Sequence, residues 1–163
     1  MTRAVLTLSG LAALGALACG GEPASAGPAY TPALANALKA LTPSCELRTT
    51  EHGELRTCKG RQAEMSLELD RGRRLRSLEL VVVTSTGVSE AWALLSGVLP
   101  SVVGQTASYA AEAALRNSAS ADSSGGDSSS GGGSSGAEQT ADGIRIVATV
   151  DGQRHRVKLT WGT

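Results

Sequence analysis

Residues 63–84, AEMSLELDRGRRLRSLELVVVT, alternate apolar and polar positions with the period of a β-strand. Met65, Leu67 and Leu69 fall on one face, with Ser66, Glu68 and Asp70 on the other. Leu78, Leu80 and Val82 repeat the pattern against Ser77 and Glu79. A four-residue loop at Arg71-Gly72-Arg73-Arg74 sets Leu67 opposite Leu78 and Met65 opposite Leu80, whereas a two-residue loop would set Leu67 against Arg76. Val81 and Val83 make the second arm apolar on both faces, which predicts a central strand with a helix packed nearby.

Two further hairpins are predicted. Residues 45–58, CELRTTEHGELRTC, turn at His52-Gly53, with Cys45 and Cys58 near opposite ends of the arms. The last segment, GIRIVATVDGQRHRVKLTWG, turns at Asp151-Gly152. That register opposes Ile144 to Leu159, Ile146 to Val157 and Ala148 to His155, and collects Arg145, Arg154, Arg156 and Lys158 on the other face.

Helical spacing appears in three places. Thr31 is a cap and Pro32 a first helical residue ahead of Leu34, Leu38 and Leu41, with Pro43 as the stop. Ser89 or Thr86 caps a second helix with the stripe Val88, Trp92, Leu95, Leu99 and Val102, which Pro100 ends or kinks. Residues 106–117 are Ala-rich and read as a third.

Composition then changes sharply. Of the 19 residues 118–136, nine are Ser and six are Gly, so residues 118–141 are expected to be a disordered loop. A lone hairpin is not stable in water, so the C-terminal one must join the sheet of residues 45–84 or pair with another molecule. The expected fold class is α+β: one antiparallel sheet of about six strands in three hairpins, with two or three helices on one face. The competing arrangement is two pieces joined by a linker.

The chain has 163 residues, with 15 Lys+Arg against 15 Asp+Glu. That length suits one ordinary domain. Zero net charge and 2 % aromatic content give no footprint for nucleic-acid binding. The expected organisation is a signal peptide over 1–18, a Gly/Pro/Ala/Ser-rich tether over 19–29 and a domain over 30–163.

The N-terminal assignment rests on MTRAVLTLSGLAALGALAC. Arg3 precedes an uncharged apolar run from Ala4 to Ala18, shorter than the roughly 18–20 residues that span a bilayer. The end of the run, Gly15-Ala16-Leu17-Ala18-Cys19, resembles the lipobox of bacterial lipoprotein precursors. Ala16 departs from the Leu the family prefers three places before the Cys. The resemblance implies cleavage before Cys19, diacylglycerol on its thiol and a membrane-anchored envelope protein. Gly20, in place of the Asp of the family's sorting rule, leans toward the outer membrane. The alternative is an ordinary secretory signal cut after Ala18 or later, giving a secreted or periplasmic protein.

Setting Cys19 aside for lipid leaves Cys45 and Cys58, an even pair expected to bridge in an oxidising compartment. A zinc site is disfavoured, because His52 alone lies between them and a closed site wants four ligands. No cofactor is implied.

No nucleophile–base pair can be named. His52 sits at a turn tip and His155 on the inward or rim side of the last hairpin, and no Gly-x-Ser-x-Gly elbow occurs. Two basic groups stand out: Arg71, Arg73, Arg74 and Arg76 at one turn, and Arg145, Arg154, Arg156 and Lys158 on one strand face. Either can grip lipid head groups, an anionic polymer or an acidic partner. The bland reading is a solvated face balanced by Glu64, Glu68 and Glu79 on the neighbouring hairpin. The functional expectation is a non-enzymatic envelope lipoprotein binding a protein or envelope polymer. The alternative is a small periplasmic hydrolase or hydrolase accessory.

Overall fold

The computed structural model describes residues 27–123 and 135–162. Helix α1 (Pro32–Lys39) leads into four strands: β1 (Ser44–Thr50), β2 (Gly53–Lys59), β3 (Ala63–Asp70) and β4 (Leu75–Val83). Helices α2 (Val88–Ser96) and α3 (Leu99–Ser123) follow, then β5 (Ser135–Ala141), β6 (Ile144–Asp151) and β7 (Arg154–Trp161). The strands form one seven-stranded sheet in the order β1-β2-β3-β4-β7-β6-β5, every pair antiparallel. The fold class is α+β, as expected, with one strand more than three hairpins supply.

Alternation builds the core. One face of β3 and β4 presents Met65, Leu67, Leu69, Leu78, Leu80 and Val82, all buried, and β6 and β7 continue it with Ile146, Ala148, Val157 and Leu159. The four-residue loop between β3 and β4 holds, with Leu67 opposite Leu78 and Met65 opposite Leu80. The register shifts between Glu68 and Leu69, so the odd residue is absorbed beside the loop.

The helices cover this face. In α1, Thr31 accepts a hydrogen bond from the Leu34 amide at 3.2 Å, and Leu34 and Leu38 are buried. The predicted second helix is divided. Its first part, α2, is capped by Gly87 rather than Ser89 or Thr86. Pro100 lies in the first turn of α3, where a missing N–H costs nothing, so it starts a helix instead of ending one. At Gly104 the α3 backbone swings out of helical geometry (φ 79°, ψ 174°). Beyond it Ala107, Ala111 and Ala114 are fully buried, small residues that let the helix lie close on β5 and β6.

Three expectations are corrected. The C-terminal hairpin turns at Gly152-Gln153, with Asp151 inside β6, so Ile146 faces Leu159, Ala148 faces Val157 and Val150 faces His155. The slip is two residues, so each side chain keeps its face. Gly152 takes a positive φ of 56° at the first central turn position, where primed hairpin turns want glycine.

The span 118–141 is ordered at both ends. Residues 118–123 complete α3, where the Ser118 hydroxyl, 1 % exposed, donates to the Ala148 carbonyl at 2.8 Å. Residues 135–141 are β5, joined to β6 through Asp142 (φ 52°) and Gly143 (φ 72°). Residues 124–134 lie outside the described residues.

Residues 27–29, assigned to the tether, are instead paired with the domain. Leu75 N–H donates to the Pro28 carbonyl at 3.0 Å, Tyr30 N–H donates to the Arg73 carbonyl at 2.8 Å, and Ala29 bridges Arg74. A Cβ on Gly27 would stand 2.1 Å from the Leu75 carbonyl oxygen, so glycine permits this close approach. The predicted signal peptide, Cys19 and residues 20–26 lie outside the described residues. Among the described residues no helix is long and apolar enough to cross a membrane.

Candidate functional site

Strand alternation places a second set of side chains on the face away from the helices. Across the centre it runs Glu64, Ser66, Glu68 on β3; Ser77, Glu79, Val81, Val83 on β4; and Arg154, Arg156, Lys158, Thr160 on β7. Arg145, Val147, Thr149 and Asp151 extend it on β6, and Glu138 on β5. Signs alternate across the strands, so the face carries no block of one charge.

The structure brings Arg154, Arg156 and Lys158 side by side on β7, with Arg145 on β6. Three of the four cations are neutralised by cross-strand carboxylates. Arg145 holds Glu138 with two bonds, at 2.7 and 2.9 Å. Arg154 meets Glu64 at 3.1 Å and Arg156 meets Glu79 at 3.2 Å. Lys158 lies opposite Glu79 and Val147 in the register and takes no ion pair among the described residues. These exposed pairs add little stability. Their apolar stems do something else. Val81 points to this uncovered face yet is only 5 % exposed, flanked by Glu64 and Arg156 across its two neighbouring strands. The sequence predicted a helix near an arm that is apolar on both faces; here long charged side chains shelter the second face instead.

The other basic group is dispersed into structural contacts. Arg71 donates to the Glu51 carbonyl at 3.1 Å and Arg74 to the Gly27 carbonyl at 3.0 Å. Arg73 and Arg56 stand 5.9 and 4.8 Å from the centroid of the Tyr30 ring. Arg73 thus holds the entering chain to the loop between β3 and β4 and Arg56 holds it to β2, while Arg76, the fourth of the group, is exposed on β4.

Cys45 and Cys58 are direct cross-strand partners in a disulfide, with Cα atoms 4.0 Å apart. The turn at the other end of this hairpin falls at Glu51-His52, one residue earlier than expected. His52 is exposed there, while His155 is buried at the opposite end of the strands, its Nδ1 3.2 Å from the Gln153 carbonyl oxygen. The two imidazoles therefore share no site. Among the described residues no three His, Cys, Asp or Glu side chains gather where a metal ion could be held. A depression of about 330 Å³ by Leu41, Arg61 and Leu94 brings a cation to an apolar wall with no acid–base partner. Another of about 260 Å³ lies over β1 and β2, between Glu46, Arg48, Leu55 and Lys59.

Two carboxylates sit below their ordinary range. Glu90 accepts hydrogen bonds from the hydroxyls of Thr84 and Thr86, which favour its charged form, Thr84 most strongly. Glu138 is lowered chiefly by its hydrogen bonds from Arg145. Both favour folding with the carboxylate ionised. Their contribution is therefore present above the unfolded value, about 4.3, and lost as pH falls through the lower folded value. In an NMR pH titration, Thr84→Val will raise the Glu90 midpoint and leave Glu138 unchanged. Equal movement of both, or of neither, contradicts the assignment.

Sequence reasoning found the basic strand face but missed Glu138, because β5 was assigned to disorder; the Asp142-Gly143 turn signal just after it was the available clue. No protein-family model, curated protein or solved structure matches the chain.

Proposed function

We propose that this chain is a lipid-anchored, non-enzymatic envelope protein whose domain binds a neighbouring envelope protein through the uncovered sheet face. The supporting observation is the cysteine partition. Cys45 and Cys58 bond to each other, which leaves Cys19 alone at the end of an apolar run, where lipoprotein precursors carry their acylated cysteine. A disulfide also suits an oxidising compartment such as the periplasm. Gly20 favours the outer membrane by the family's sorting rule. A protein partner is preferred over an anionic polymer because Arg145, Arg154 and Arg156 are already matched by Glu138, Glu64 and Glu79. A mixed-charge face suits a mixed-charge surface.

Intact-mass measurement tests the anchor. The mature protein will begin at Cys19, carry acyl mass and partition into detergent, and Cys19→Ala will remain uncleaved or become soluble. An N-terminus beyond residue 19 without added lipid rejects the reading. For the binding half, a pull-down from solubilised envelope should recover a protein whose capture weakens in Lys158→Glu. Turnover of a generic hydrolase substrate would reject the non-enzymatic assignment.

A further inference from the structure

We infer that the free edge of β1 is a self-association site that joins two copies of this chain into one continuous sheet about a two-fold axis through Leu47. The inference stands independently of the anchor. Every residue of β1 is exposed, and among the described residues β1 pairs only with β2. Natural edges are guarded by charged side chains, above all Lys, by Pro, by bulges or by a covering element. The two charges on β1, Glu46 and Arg48, are opposite in sign, so they do not repel a second copy in the register below. Ser44–Thr50 contains neither Pro nor Lys, its register with β2 is unbroken over all seven residues, and Leu47 stands 56 % exposed on it.

The orientation of the edge groups follows from the disulfide pair. A Cα separation of 4.0 Å at Cys45 and Cys58 matches the close, non-hydrogen-bonded class of antiparallel pairs, about 4.5 Å, rather than the hydrogen-bonded class, about 5.5 Å. Cys45, Leu47 and Thr49 therefore direct their N–H and C=O groups away from β2, along the free edge.

Antiparallel pairing of two β1 strands centred on Leu47 makes Leu47 its own partner in a hydrogen-bonded pair and sets Cys45 opposite Thr49. Glu46 of one copy then faces Arg48 of the other, twice by symmetry, in the close class of pair where side chains approach most nearly. Both Leu47 side chains lie on the helix side and meet across the axis. The interface is isologous and closed, which stops growth at two copies. The other edge lacks this complementarity: β5 has Glu138 at its centre, so centred self-pairing would oppose two carboxylates.

Sedimentation of the full chain in a density-matched detergent tests the inference, with a thermal melt of each variant as the control for folding. The parent chain should sediment as a dimer. Glu46→Arg and Arg48→Glu, each placing like charges across the axis, should each raise the dissociation constant about tenfold or more. The double substitution restores opposite charges and should recover the parent constant. A monomeric parent overturns the inference, as does a filament, or an oligomer that ignores both single substitutions. If a single variant fails to melt cooperatively, Leu47→Lys replaces it, with the same loss of dimer expected.

Discussion

Truncation after Asn117 will abolish the cooperative thermal transition. The cut removes β5, β6 and β7, which together supply Ile144, Ile146, Ala148, Val150, Val157, Leu159 and Trp161 to the core. It also leaves β4, a central strand, with an open edge along Ser77–Val83 where β7 had paired. Large-to-small changes at single buried positions cost about 2–5 kcal/mol each, while whole domains hold only about 5–15 kcal/mol. Losing seven such side chains exceeds that reserve. Circular dichroism should show a broad, non-cooperative melt, accompanied by dye binding or aggregation from the exposed edge. A truncated chain that melts sharply at the full-length temperature would mean that the C-terminal strands are an appendage.

Reduction of the Cys45–Cys58 bridge is expected to lower the melting temperature by roughly 10 °C. The bridged residues are 13 positions apart. Closing a loop of that size removes unfolded-state entropy worth about 3 kcal/mol, which corresponds to roughly 10 °C in a domain of this size. The effect should appear first in β1, because its seven exposed residues have little apolar burial to hold them. Hydrogen exchange offers the finer measurement. The amides of Glu46 and Arg48, which face β2, should lose protection on reduction before those of β3 and β4 do. An unchanged melting temperature together with unchanged exchange in β1 would show that the hairpin is held by its backbone pairing alone.

These outcomes bear on which parts of the fold were legible in the sequence. The β3–β4 pairing was readable because two strictly alternating arms admit only one loop length that puts leucine against leucine. The last hairpin was readable in face but not in register. Asp151-Gly152 is a strong turn signal, but Gly152 with Gln153 makes the turn and Asp151 stays paired with Arg154. Strand β5 was hidden for a different reason. Its sequence, SGAEQTA, has almost no apolar content of its own, and it is held by backbone bonds to β6 and by α3 lying beside it. Composition measures what a segment can bury, not what a neighbour can do for it. The last turns of α3 were hidden likewise, since Ser118 is fixed by the Ala148 carbonyl rather than by an apolar side chain. In the candidate site, the cations of β6 and β7, Arg145 among them, were visible from spacing. Their neutralisation was visible only in part, because Glu138 belongs to the concealed strand.

The junction of β4 with β7 also sets the order in which this protein can become itself. Those strands lie side by side at the middle of the sheet but are far apart in the chain, with Leu78 paired to Leu159. Local hairpins close in microseconds, whereas distant pairings wait on the search that brings their ends together. Strands β1 to β4 can therefore zip early, while the sheet stays split until the final residues are available. If the chain is exported from its N-terminus, as proposed above, completion must await the passage of Trp161. The bare edge of β4 is then a waiting state, open to chaperones and to misassembly alike. The slowest event in maturation would be the docking of the last strand to emerge.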